Sequence, residues 1–191
     1  MKPVQEMTEA ELAAFVGQHL GDRGIRVVLS GGTCVTIYAR RAYVSGDFDF
    51  VAEAAFVDRP RITAALAEIG FQEHGRFFKH PDSTLLVDMR PSPLAIGREP
   101  VKEVRELSFC TGLLRLLSPT DCTKDRLAGY YYYNDSQCLD QARLVIEHSD
   151  VDLAEVERWS ISEGEQARFQ EIKASLFESE RNRLQRKSLS S

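Results

Sequence analysis

The sequence has no apolar run approaching the eighteen or more residues that a membrane span needs, and its opening, MKPVQEMTEAEL, carries no apolar leader. Both absences predict a cytoplasmic protein with no membrane partner. Cysteine is sparse. Cys34, Cys110, Cys122 and Cys138 stand far apart without a CxxC pair, which disfavours both a disulfide framework and a structural zinc site. They are expected as reduced thiols, some of them buried. A basic excess is missing too, since 24 Lys and Arg against 29 Asp and Glu leave a net charge of −5. No global charge therefore draws the chain to nucleic acid. What basic charge there is gathers locally, in Arg40-Arg41, Arg59 with Arg61, Arg76 with Lys79, and Arg181-Asn-Arg183-Leu-Gln-Arg186-Lys187. Each is a candidate contact for phosphate, with solvated surface as the plainer reading. No internal repeat is present.

With 191 residues and 43% hydrophobic content, the chain can bury one ordinary core with a smaller attached subdomain. Thr8 and Glu11 have capping-box spacing, and Leu12, Phe15, Val16 and Leu20 recur at helical intervals, predicting a helix over 9–20. Ile25 to Leu29 is a short β-branched strand, and Gly31-Gly32 turns it into a second helix over 33–41. Gly46 to Val51 alternates with period two. A third helix opens at Asp58 and Pro60 and ends at Gly70. Strands over 75–79 and 84–90, joined by His80-Pro-Asp-Ser83, predict a hairpin. Residues 91–100 are expected as irregular chain, and Val101 to Leu107 as an edge strand. Beyond that the pattern is helical. Ser118-Pro119 opens a helix over 119–133, a further helix covers 137–148, Asp152 and Ser162 are expected to cap two more, and Lys187 to Ser191 is expected as a disordered tail. The predicted fold class is α/β (α+β), a small mixed sheet flanked by helices over residues 1–107, with a helical C-terminal segment over 108–191.

The chemistry concentrates in two places. Ser30-Gly31-Gly32-Thr33 follows an apolar strand, where glycines let backbone N–H groups approach a phosphate at a helix N-terminus and the hydroxyls add donors. Asp47-Phe48-Asp49-Phe50 then sends both aspartates to one face of a strand and both phenylalanines to the other. Paired carboxylates suit a hard cation such as Mg²⁺ or Mn²⁺. Asp88, in Leu85-Leu-Val-Asp88-Met, is an acid within an apolar strand, where an unpaired charge is expensive. It supplies a third carboxylate. Taken alone, Asp88 could instead form an ion pair with Arg90 or Arg76. The combination predicts a triphosphate cradle beside a divalent-metal site, and hence nucleotidyl transfer.

Gly31-Gly32 followed by Asp47-Phe-Asp49 resembles the polymerase-β-like nucleotidyltransferase signature. The Ser-Gly-Gly-Thr start is similar to minimal and AbiEii-type nucleotidyltransferases of bacterial toxin–antitoxin and phage-defence systems. The resemblance covers about residues 25–90 and extends loosely to residue 148. It implies an NTP substrate, Mg²⁺ or Mn²⁺ at Asp47, Asp49 and Asp88, nucleotide contacts from Ser30, Gly31, Gly32 and Thr33, and a possible partner protein. It also implies that Lys124 contacts the triphosphate and that Asp135 holds the helical segment or the nucleotide. Lys124 has a plainer reading as part of an exposed ion-pair face. Arg143 and His148 match the Arg-x4-His spacing of HEPN-type ribonucleases, although Leu144 follows the arginine where those enzymes place a polar residue. Tyr130 to Tyr133 cannot all face one way, because successive helical residues step about 100°. One or two should pack and the rest reach a cleft or the surface, where stacking on a base is an alternative.

The expected activity moves an NMP from an NTP to an acceptor hydroxyl, with Asp88 as general base or third metal ligand. A tRNA end, a protein hydroxyl and a small molecule such as an aminoglycoside are all compatible acceptors. The alternative is a module that keeps the fold without the reaction and acts as an antitoxin-like or nucleotide-sensing partner.

Overall fold

A computed structural model describes residues 2–40, 42–54, 58–90 and 92–189. Arg41, Pro91 and Ser190-Ser191, which figure in the expectations above, lie outside the described residues. The chain divides into two compact units, the first formed by residues 1–34, 45–95 and 100–117, the second by 35–44, 96–99 and 118–191.

In the first unit the Thr8–Glu11 capping box forms as expected, with Thr8 N donating to Glu11 at 2.7 Å and Glu11 N donating to Thr8 Oγ1 at 3.3 Å. It opens helix α1, Glu9–Asp22. Strand β1, Val27–Ser30, runs into helix α2, Gly31–Tyr38, which begins in the first unit and ends in the second. Strand β2, Asp47–Ala52, helix α3, Arg59–Ala67, and strands β3, Gln72–His74, β4, Phe77–Lys79, and β5, Leu86–Arg90, follow. The β4–β5 hairpin is the expected one. β3 was not legible because its three residues are all exposed and polar. In the expected irregular stretch a short ribbon forms from β6, Ala95–Ile96, and β7, Glu99–Pro100, turning at Gly97 with φ 61°.

Strands β8, Val104–Phe109, and β9, Gly112–Leu117, complete a seven-stranded sheet of order β3-β4-β5-β2-β1-β9-β8 among the described residues. β8 is the expected edge strand. β9 is not anticipated by sequence, which turns helical after residue 107, whereas the sheet continues to Leu117. Gly-Leu-Leu-Arg-Leu-Leu is an apolar run without strand alternation, and leucine favours helix. Tertiary pairing decides otherwise, because β9 sits between β1 and β8 with Leu114, Leu116 and Leu117 buried. β1 runs antiparallel to β2 and parallel to β9, while β2 runs parallel to β5. Phe48, Phe50, Leu29, Val87 and Leu114 are fully buried. The hydrophobic side of the Asp-Phe-Asp-Phe strand is therefore core, which commits its aspartates to the other side.

The second unit is helical: α4, Pro119–Tyr133, α5, Ser136–His148, α6, Leu153–Ser162, and α7, Gln166–Leu189. Ser118 caps α4 by accepting from Asp121 N, Asn134 closes it in the left-handed region at φ 55°, and Asp152 caps α6 by accepting from Glu155 N. Ser162 corrects the expectation. It ends α6 rather than capping α7, its hydroxyl bonding back to the Trp159 carbonyl and across to Glu99, and the turn passes through Gly164 at φ 86°. The tail expectation is corrected as well, since α7 runs through Lys187 to Leu189. Trp159, Phe169, Leu127 and Val145 are fully buried in this unit. Tyr131 stacks on Trp159 at 6.0 Å and bonds Ser160, and burial pushes its phenol up to about 12. Tyr133 is 83% exposed, so the tyrosine run divides between core and surface.

Glu155 is held well below the usual carboxylate range, chiefly by hydrogen bonding from Arg158 and, against some burial cost, from Lys124. A depressed folded-state value means that the unfolded chain takes up the proton first as pH falls. Stability from this group is full above about pH 4.5, its ordinary value, and is lost progressively below it. The melting temperature of Glu155→Gln should accordingly fall less steeply between pH 5 and 2 than that of the wild type, in parallel thermal melts followed by circular dichroism.

Candidate active site

The site in the first unit is built from strand register. Ser30 faces Asp49 across β1 and β2, and Asp49 faces Asp88 across β2 and β5. Asp47 lies one pleat repeat away on the same face, opposite Leu86. The three aspartates named from sequence thus share one face of two neighbouring strands, with the bend at the end of β1 beside them.

The bend itself is tied to β2 through side chains. Ser30 Oγ donates to the Asp49 carbonyl at 3.1 Å, Thr33 Oγ1 donates to the Asp47 carbonyl at 2.5 Å, and Ser45 Oγ reaches the same carbonyl at 3.2 Å. The Ser30 and Thr33 hydroxyl protons, expected as phosphate donors, hold the turn against the aspartate strand. Gly31 has φ +70°, and a Cβ there would run into the carboxylate of Asp49. Only glycine lets the backbone bend this close to the acid. Gly31→Ala should cost about 1–3 kcal/mol through left-handed strain and displacement of Asp49. A urea titration measures it, and an unchanged midpoint would mean that the bend relaxes freely.

Asp88 is only 4% exposed. Its Oδ2 lies 3.1 Å from Arg76 Nη2 and 3.3 Å from Arg90 Nη1, and Arg90 Nε stands 3.8 Å from Asp49 Oδ1. Both ion pairs that the sequence offered as the plain explanation for Asp88 therefore exist, and they exist beside Asp49 rather than away from it. A carboxylate this deeply buried requires such partners. Among the described residues, no three His, Cys, Asp or Glu side chains gather as a group that could hold a metal ion. The aspartates are aligned by register, and guanidinium groups pair closely with Asp88 and at longer range with Asp49.

Lys124 belongs to the helical unit and is 4% exposed, not on an exposed face. Its ammonium lies 3.2 Å from Asp121 and 2.8 Å from Glu155. Sequence reasoning missed Glu155, which is remote in the chain and carries no motif. Asp135 caps α5 by accepting from Gln137 N at 2.9 Å. Arg143 bonds Ser175 and Asp140, and His148 bonds the Leu144 carbonyl, so both halves of the Arg-x4-His spacing have structural partners. Of the basic clusters, Arg59 binds Glu73, Arg61 the Arg23 carbonyl, Arg183 Asp150 and Arg186 Glu147. All four cysteines are free thiols, with Cys110 alone exposed.

No protein-family model matches this sequence, and no curated protein matches it. Likeness is found among solved structures. A crystal structure of an antigenic nucleotidyltransferase-like protein from Paracoccidioides brasiliensis superposes with a TM-score of 0.57 at 15% identity, covering 88% of this chain and 92% of that one. A solution structure of the antibiotic-resistance factor ANT(2'')-Ia gives a TM-score of 0.45 at 16% identity over 84% of this chain and 90% of that one. A crystal structure of ANT(2'')-Ia in complex with adenylyl-2''-tobramycin gives 0.43 at 15% over 66% and 81%. The first of these establishes the class: the chain has a nucleotidyltransferase-like fold. No helix among the described residues is long and apolar enough to cross a membrane.

Proposed function

We propose that the protein transfers a nucleoside monophosphate from an NTP to an acceptor hydroxyl. The observation that carries this reading is the register Ser30–Asp49–Asp88, which sets a glycine bend and two carboxylates side by side in a nucleotidyltransferase-like fold. The donor chemistry suits a hard divalent cation, since Asp47, Asp49 and Asp88 offer only carboxylate oxygens from one face, although among the described residues they do not gather as a metal-holding group, with Asp88 paired to Arg76 and Arg90. They would hold one or two Mg²⁺ or Mn²⁺ ions, and such an ion neutralises charge on the triphosphate when bound. The bend at Ser30 to Thr33, at the positive end of α2, receives the phosphates. Asp88 takes the proton from the acceptor hydroxyl as that oxygen bonds to the α-phosphorus, and the bond to the bridging oxygen breaks to release pyrophosphate. Asp88 as a third metal ligand is the variant of this role. The resemblance to minimal and AbiEii-type enzymes suggests a cytoplasmic toxin–antitoxin or defence setting with a partner protein.

A second reading, a nucleotide-sensing or antitoxin-like module without turnover, is favoured by the ion pairs of Asp88 with Arg76 and Arg90, which satisfy the acid without a metal. One experiment separates them. NTP plus Mg²⁺ together should raise the melting temperature by about 5–10 °C at about 100 times Kd, with Asp49→Asn abolishing the shift. Incubation with α-labelled NTP and a cell extract then reports transfer. Stabilisation without labelling favours the sensing module, and no stabilisation at all removes the transfer reading and favours an antitoxin-like interaction module.

A further inference from the structure

The strand register extends beyond the carboxylates. Asp47 faces Leu86, and Leu86 faces Lys79 on β4, while Asp88 faces Phe77. Register partners project to the same side of a sheet, so Lys79 lies in the row of Asp47, two strand spacings or about 10 Å away. A cleft of about 540 Å³ opens at this end of the rows, lined by Lys79, Pro81, Asp82, Ser83, Thr84 and Leu86. That volume lies within the range of small-ligand sites.

The strand order β5-β2-β1 places the glycine bend on one flank of Asp49 and Asp88 on the other. With the triphosphate on the β1 side, an acceptor hydroxyl must reach Asp88 from the β5–β4 side, where the cleft is. The cleft lining holds one cation, Lys79, and one acid, Asp82, and the cation is the one in the row of the site aspartates. Lys79 is exposed and forms no ion pair among the described residues. Arg76, with its side chain 63% exposed, lies over the Phe77 ring at 4.5 Å while its tip meets Asp88. Ser83 and Thr84 add hydroxyls, and Asp82 is the one acid in the lining. Resting on the nucleotidyl-transfer reading, we infer that the β4–β5 hairpin cleft is the acceptor subsite, that its acceptor carries a phosphate close to the reacting hydroxyl, and that Lys79 binds that phosphate. A polycationic acceptor would set an ammonium group against Lys79, a repulsion that selects against it.

The test uses the full chain with a non-hydrolysable NTP analogue and Mg²⁺, after saturation by the analogue is verified by melting temperature. Four probes are titrated by calorimetry: an RNA oligonucleotide with a free 3′-hydroxyl, ribose 5-phosphate, ribose, and tobramycin. At least one phosphate-bearing probe should bind, more weakly as salt rises, and Lys79→Glu should weaken it by about tenfold or more while Lys79→Arg stays within about threefold. Melting temperature and analogue affinity should be unchanged in both variants. The RNA and sugar-phosphate arms tell a polymer end from a small metabolite. Ribose or tobramycin binding as well as the phosphate-bearing probes, neither phosphate-bearing probe binding while the analogue does, or equal affinity in Lys79→Glu and wild type, each overturns the inference alone. Failure of the analogue itself to bind overturns the transfer reading beneath it.

Discussion

Asp49→Asn should lower nucleotidyl transfer by about 10³-fold or more, equivalent to at least about 4 kcal/mol of transition-state stabilisation. The amide has nearly the shape of the carboxylate, so the packing against Gly31 and the backbone bond from Ser30 are preserved. What disappears is the negative charge at the centre of the register, between the bend on β1 and Asp88 on β5. Stability should change by less than about 1 kcal/mol, because the ion pair of Asp49 with half-exposed Arg90 is long, at 3.8 Å. Single-turnover transfer from α-labelled NTP, with urea unfolding of the same preparation, measures the two quantities separately. Wild-type turnover in a folded Asp49→Asn protein would remove Asp49 from the reaction.

The residues that made this site legible are those whose local physics agrees with the tertiary fold. Thr8 with Glu11, Ser118 with Asp121, and Asp152 with Glu155 form caps whose hydrogen bonds close within three residues, so sequence alone reveals them. The alternation Asp-Phe-Asp-Phe separates a core face from a chemical face without reference to any other strand. Legibility ends where a residue's neighbour is distant in the chain. β9 is a strand because β1 and β8 flank it, a fact absent from its leucine-rich sequence. Ser162 has the composition of a cap, yet its partners Trp159 and Glu99 make it the last residue of a helix. Asp88 was foreseen either as a site acid or as an ion-pair residue, and the register makes it a neighbour of Asp49 while Arg76 and Arg90 pair with it.

Lys124→Ala should destabilise the protein by about 2–4 kcal/mol, because a buried ion pair that loses one member leaves a charge uncompensated. Lys124 and Asp121 are 4% and 5% exposed, and the ammonium lies 3.2 Å from Asp121 and 2.8 Å from Glu155. Glu155 keeps Arg158, which bonds both of its oxygens, so the cost falls mainly on Asp121 and stays below the extreme for such pairs. Lys124→Met keeps the aliphatic stem and should lose less. Asp121→Asn added to Lys124→Ala removes the stranded charge and should recover about 0.5–3 kcal/mol, a coupling read from the double-mutant cycle. Urea midpoints of the four proteins decide the structural role, and NTP affinity in the same set decides the other. A lysine whose work is to neutralise Asp121 changes stability and leaves NTP affinity within about twofold, whereas a phosphate ligand weakens NTP about tenfold at an unchanged midpoint. Both effects in one variant would mean that the ammonium exchanges its carboxylates for phosphate on binding, and Asp121→Asn would then tighten NTP by releasing the lysine.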